Sequence, residues 1–317
     1  MNTTSKLPTL RTSRITKLAL PLALGLPLAA GVRVDPDACE KSTQAMLHSC
    51  WRQTVSDFWL ARANCLNLPT MQEKLACILD AEIELDDAQD ECYDQQDARR
   101  DLCARLGGGI YHPLIDPDDF VPVVDNQFFP LLPGTTFTYE KLTSEGIERV
   151  ELIVTSETKE ILGVDCTVVH DIETLEGEVQ EDTFDWFAQD VWGNVWYFGE
   201  LSFEYEDGEI SGTGGSWKAG EDGANPGIIM EASPQIGDVY RQEFFLGEAE
   251  DAAGVLSLSE AVTVPYGAFT RCLKTEDFTP LEPGNLEHKF YAPGVGLVLE
   301  FDPGDGGRLE LIAIDFD

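Results

Sequence analysis

Eight cysteines carry the plainest chemistry in this chain of 317 residues. Six of them, Cys39, Cys50, Cys65, Cys77, Cys92 and Cys103, stand as a mirror about a point near Met71, and Cys166 and Cys272 follow far downstream. No pair has the C-x-x-C spacing of a zinc or redox site, which makes thiolate–metal chemistry the weaker reading. An even number of cysteines behind an export signal points instead to a disulfide framework, here of four bonds.

Other reactive side chains are sparse. The histidines His48, His112, His170 and His288 lie at no metal-ligand spacing from one another. There is no H-E-x-x-H, no P-loop and no dinucleotide fingerprint. Ser216 fails to complete a G-x-S-x-G elbow because Lys218 stands where the last glycine belongs. Five acidic residues, Asp80, Glu84, Asp87, Glu91 and Asp94, recur in steps of four and three and form a helical stripe. Such a stripe suits a divalent cation or a basic partner, or simply a solvated face. Asp302-x-x-Asp305-Gly306-Gly307 reads as a turn with calcium-compatible residues. No active site is recognisable. The expectation is a non-catalytic protein with no cofactor, calcium being the one ion these acids suit.

The cysteines demand two long helices to hold them. Asp35-Pro36 can start the first, which runs to about Leu66. Asn67-Leu68-Pro69 breaks it, and Thr70-x-x-Glu73 has the form of a capping box. The second helix then continues to Leu106, where Gly107-Gly108-Gly109 ends it. Cysteines 11 residues apart on one helix are separated by roughly 16 Å, whereas a disulfide needs Cα atoms within about 7 Å. Each of Cys39, Cys50 and Cys65 must therefore bond across to Cys77, Cys92 or Cys103. Only Cys39–Cys103, Cys50–Cys92 and Cys65–Cys77 keep antiparallel order. The mirror centre falls about two residues past the helix break, so the tip bond calls for a slanted turn. The coiled-coil-like hairpin leaves a second stripe containing Trp51 and Trp59, which one partner helix cannot cover. Those rings are expected to pack on the rest of the chain or on another protein.

Beyond residue 109 the texture changes. Residues 110–134 hold five prolines and read as a linker. From Thr135 onward, short alternating runs such as Thr135–Tyr139, Arg149–Val154, Cys166–Ile172 and Arg308–Ile314 read as strands. Glu176-Gly177, Asp207-Gly208 and Gly193-Asn194 are candidate hairpin turns. The fold class is α+β: a disulfide-stapled antiparallel helical hairpin (32–109), then an antiparallel β domain (135–317), a sandwich or a curved half-barrel. Cys166 and Cys272 are expected to bond across neighbouring strands or between layers. Trp186, Trp192 and Trp196 form the densest aromatic block. They are candidates for a ligand groove, with a plain core as the simpler reading.

Two stretches carry a resemblance. Tyr291-Ala292-Pro293-Gly294-Val295-Gly296-Leu297-Val298 resembles a signature near the C-terminal end of many exported bacterial β-rich proteins. Val264-Pro265-Tyr266-Gly267-Ala268-Phe269-Thr270-Arg271-Cys272 resembles the V-P-x-G-x-F-x-x-C stretch that precedes it there. Asn126–Leu131 and Pro133–Phe137 look like the entry to the same domain. The family is largely uncharacterised, so the resemblance implies a periplasmic or surface β fold and no catalytic residues.

Charge narrows the partners. Residues 1–31 pair a basic start (Lys6, Arg11, Arg14, Lys17) with the apolar run Leu18–Leu28 and small residues at 29–31, as a signal peptide does. That segment has no acidic residue, which leaves 17 basic against 58 acidic residues in the remainder. So negative a field repels nucleic acid and anionic membranes. No later segment reads as a membrane span. The expectation is an exported protein, periplasmic or extracellular, that binds a protein, a glycan or an apolar small molecule. A carrier holding an apolar ligand in the β domain, or a hydrolase, is the alternative.

Overall fold

The computed structural model describes residues 35–316, so the expected signal peptide lies outside the described residues. Two helices come first. Helix α1 (Ala38–Leu66) and α2 (Met71–Leu106) form an antiparallel hairpin joined by a four-residue turn. Thr70 and Glu73 make the expected capping box, and Gly107 leaves α2 at a φ of 88°, a value that favours glycine. Asp35 does not cap α1 directly. Its carboxylate accepts from the Asp37 amide and pairs with Lys41.

All three hairpin disulfides are present in mirror order. Cα–Cα distances are 5.8 Å for Cys39–Cys103, 5.8 Å for Cys50–Cys92 and 5.5 Å for Cys65–Cys77. Two helices bury little surface by themselves, and each crosslink contributes on the order of 2–4 kcal/mol by restricting the unfolded chain.

The rest is antiparallel sheet. Within residues 110–134 the chain makes β1 (Phe120–Val121), β2 (Val124–Asn126) and β3 (Phe129–Leu131), and Val124, Phe128 and Leu131 enter the core. A long meander follows: β4 (Thr135–Leu142), β5 (Ile147–Ile161), β6 (Val164–Leu175), β7 (Glu178–Asp190) and β8 (Val195–Glu206). Short β9 (Glu209–Gly212) and β10 (Trp217–Lys218) return along β8. Next come β11 (Asn225–Met230), β12 (Val239–Arg241) and β13 (Glu243–Phe244). A second meander ends the chain: β14 (Ala252–Val264), β15 (Gly267–Phe278), β16 (Leu286–Ala292), β17 (Gly296–Phe301) and β18 (Arg308–Phe316). Glu176-Gly177 and Asp207-Gly208 turn with both residues at positive φ, the geometry that suits the right-handed twist of a hairpin.

Strand order is β12-β14-β15-β16-β17-β18-β4-β5-β6-β7-β8-β11-β13. Its two ends belong to one bent segment, since β12 pairs with β14, β13 pairs with β11, and only Gln242 stands between them. The sheet is thus a nearly closed barrel rather than a sandwich. Closure brings backbones together at Gly227, where a Cβ would lie 2.2 Å from the Gln242 carbonyl oxygen. No residue but glycine fits there.

One disulfide expectation fails. Cys166 on β6 and Cys272 on β15 are free thiols, both fully buried. Five strands separate theirs in the sheet order. They are not cross-strand neighbours, and each sits in the apolar core as a small hydrophobe.

The hairpin meets the barrel near the start of β14 and the end of β15. Arg99 donates through Nε and Nη2 to a buried Glu250, and Gln95 donates to the Leu281 carbonyl at 2.9 Å. Arg105 lies over the Phe278 ring at 4.7 Å.

Candidate functional site

Two places combine features that recognise other molecules: the outer length of the hairpin and the concave interior of the barrel. The hairpin contacts just named lie in the last third of α2. Beyond them large apolar side chains stay in solvent. Trp59 is 60% exposed, Met71 70% and Leu75 62%. Spacing explains the pattern: Met71, Leu75, Leu79 and Ile83 recur every four residues, as do Val55 and Trp59. Cross-helix contacts place the α1 and α2 rows on one side. Arg62 reaches Glu82, and the rings of Trp51 and Tyr93 meet at 5.7 Å. Of the two expected binding rings, Trp51 is partly covered by Tyr93 within the hairpin, while Trp59 stands out beside the Arg62 guanidinium.

The acidic stripe is equally solvent-facing. Asp80, Glu84, Asp87, Glu91 and Asp94 are all exposed, along the edge of α2 opposite the one Tyr93 and Leu75 occupy, as their helical angles require. Among the described residues no group of three or more His, Cys, Asp or Glu side chains is placed to hold a metal ion. At the Asp302–Gly307 turn the carboxylates accept backbone amides of Gly304 and Gly307.

The barrel interior is unusually acidic. Register sets Glu173 opposite Glu181, Asp171 opposite Thr183 and Val169 opposite Asp185; on the next strand Glu204, Ser202 and Glu200 continue the rows. Across the barrel, Lys289 Nζ lies 3.5 Å from both Glu287 and Glu300 and 3.8 Å from Asp277. Burial opposes the Lys289 charge, but Glu300 and Asp277 outweigh it and drive its pKa up. Away from Lys289, burial and like charge raise the pKa of Asp171, Asp185 and Glu200. Burial and then the Glu181 charge push Asp171 up to about 7. Burial followed by Asp171 takes Asp185 to about 7, and burial followed by Asp185 takes Glu200 to about 8.

Geometry supports a shared proton. The Tyr197 hydroxyl oxygen is 2.5 Å from Asp185 Oδ1 and 2.6 Å from Glu200 Oε2. A phenol has one hydrogen to donate. One carboxyl must therefore carry a proton and donate it back to the phenol oxygen.

Beside this pair is a cavity of 170 Å³ lined by Phe137, Tyr139, Phe187, Leu297, Asp171 and Asp185. Sites for drug-sized molecules measure about 300–1,000 Å³, so this one suits a ligand no larger than a small ring. The tryptophan block does not line it. Trp186 alternates to the face opposite Asp185 and Phe187, and Trp196 to the face opposite Tyr197. Phe120 covers Trp196, whose Nε1 donates to Asp190, while Trp192 is exposed. Sequence reasoning missed the interior acids because alternating acid and apolar residues read equally well as a strand with a wet outer face.

No family model matches the chain, and no curated protein matches it. A solved structure, that of a putative lipoprotein from Parabacteroides distasonis ATCC 8503, aligns with a TM-score of 0.33 and 13% identity. The match spans 60% of this chain and 99% of that one, a likeness too slight to transfer a fold or a residue's role. The two stretches that carry the resemblance to exported β-rich proteins build the β14–β15 and β16–β17 hairpins. Three disulfides favour an exported protein, since such bonds persist in oxidising compartments.

Proposed function

We propose that this is an exported, non-catalytic interaction protein that presents the outer half of its hairpin to a protein partner. The exposed apolar side formed by Val55, Trp59, Met71, Leu75 and Leu79 carries the reading. Exposed apolar surface of this extent, bordered by charge, marks a recognition surface. Rigidity favours the same conclusion. Crosslinks at Cys50–Cys92 and Cys65–Cys77 hold the two rows in fixed register, so little ordering entropy opposes association. The acidic stripe on the opposite edge of α2 adds a negative field that would speed encounter with a basic partner. An aromatic anchor such as Trp59 is the residue type that dominates such interfaces.

The test compares two baits in the exported fraction of the native host: the unaltered chain and a Trp59→Ser/Leu75→Lys variant. Both positions are solvent-exposed, so both baits should melt alike. A protein captured stoichiometrically by the first and lost from the second supports the reading. Identical captures from both would remove the hairpin from recognition.

A further inference from the structure

In a chain with 58 acidic and 21 basic residues, a buried cation lacking a carboxylate is unexpected. Arg241 is such a cation. It ends β12 at the seam where the barrel closes, and it is 8% exposed. Its Nη1 is buried with no hydrogen-bond partner among the described residues. Phe244 and Tyr111 flank the guanidinium, with ring centroids 4.9 Å and 5.6 Å from its central carbon. The nearest polar contact, Nη2 to Cys39 Sγ at 4.0 Å, is weak.

Charge does not balance at this point. Glu250 is the carboxylate whose field reaches Arg241, and it already accepts three hydrogen bonds from Arg99. Two buried guanidinium groups therefore share one carboxylate. Tyr111 is no substitute, because burial pushes its phenol up to about 12. Nor can the segment before Asp35 help, since it contains no Asp or Glu. A buried charge without a counter-charge is strongly unfavourable.

Arg241 also lines a cavity. The space between the start of α1, the end of α2 and the barrel seam measures 380 Å³, bounded by Ser42, Leu106, Gly108, Tyr111 and Phe244. That volume falls within the roughly 300–1,000 Å³ of small-molecule sites. Carbon dominates the wall, and among the described residues that line it the Arg241 guanidinium is the charged group.

We propose that this junction cavity binds a small organic monoanion, a carboxylate on an aliphatic or aromatic body, with Arg241 as its counter-charge. A guanidinium fork matches the two oxygens of a carboxylate, and the apolar wall covers the body. One unbalanced positive charge selects a monoanion over a dianion. The site is separate from the apolar side of the hairpin and stands or falls independently of it.

Titration calorimetry on the full chain tests this with butyrate, hexanoate and benzoate, and with benzamide as the uncharged match to benzoate. At least one carboxylate should bind one per chain, and benzamide should bind about tenfold more weakly than benzoate or worse. Arg241→Met should abolish the preference for charge. Ser42→Leu keeps the charge but fills the cavity, so it should weaken binding even if Arg241→Met folds poorly. Failure of all three carboxylates to saturate by about 10 mM overturns the proposal. So does equal binding of benzamide, or binding unchanged in both variants. Sodium chloride that competes as strongly as the carboxylates would reduce the site to an inorganic-anion site and refute the organic ligand.

Discussion

Tyr197, Asp185 and Glu200 form a group whose protonation is set by place rather than by type. A free carboxyl releases its proton near pH 4, whereas burial and mutual repulsion hold these to about 7 and 8. The folded state therefore keeps protons that the unfolded chain gives up. Stability from these groups is complete below about pH 4 and is lost as pH rises through about 7 to 8. The melting temperature should accordingly fall by several degrees between pH 5 and pH 8. Glu200→Gln removes one titrating group while keeping the shape, and should flatten that slope and raise the melting temperature at pH 8. A slope unchanged in Glu200→Gln, measured by circular dichroism, would place the pH response elsewhere. The free thiols Cys166 and Cys272 obey the same logic of place. Burial pushes both up, so neither should react with iodoacetamide until the barrel unfolds.

At the scale of elements, the hairpin was legible almost residue by residue. Cysteine spacing, the Thr70–Glu73 box and the glycine run at 107–109 each act locally, and helix geometry converts spacing directly into pairing. Non-reducing peptide maps should recover Cys39–Cys103, Cys50–Cys92 and Cys65–Cys77, with an intact mass lighter than the reduced chain by six hydrogens, not eight. Replacing Cys50 and Cys92 together by serine should cost on the order of 2–4 kcal/mol and open the outer hairpin to protease. Equal resistance to limited proteolysis would mean that packing alone holds the arm. From Thr135 onward the long strands were legible, yet their partners were not, and β1–β3 were hidden because the five prolines of 110–134 read as a linker. Pro226 masks β11 as a strand in the sequence, and Gly199 interrupts the alternation of β8.

Across the whole molecule the hairpin and the barrel are joined by a buried ion pair. The side chains of Arg99 and Glu250 are 5% and 1% exposed. Arg99→Met alone strips Glu250 of its three hydrogen bonds from the guanidinium and should destabilise the molecule by about 3–5 kcal/mol. Adding Glu250→Gln should recover much of that loss. If the double variant is no better than the single one in urea melts, the ion pair contributes through shape rather than charge.

Composition, cysteine spacing and turn residues by themselves determined the compartment chemistry, the stapled hairpin and the β-rich class, because each depends on contacts a few residues apart or on a rigid repeat. Only the tertiary structure decided that the sheet closes through the bend at Gln242, that Asp185 and Glu200 meet at the Tyr197 hydroxyl, that Cys166 and Cys272 stay apart, and that Arg241 has no carboxylate hydrogen-bonded to it. Those facts join residues distant in sequence through strand order and register, and alternation of side chains along one strand cannot report which other strand faces it.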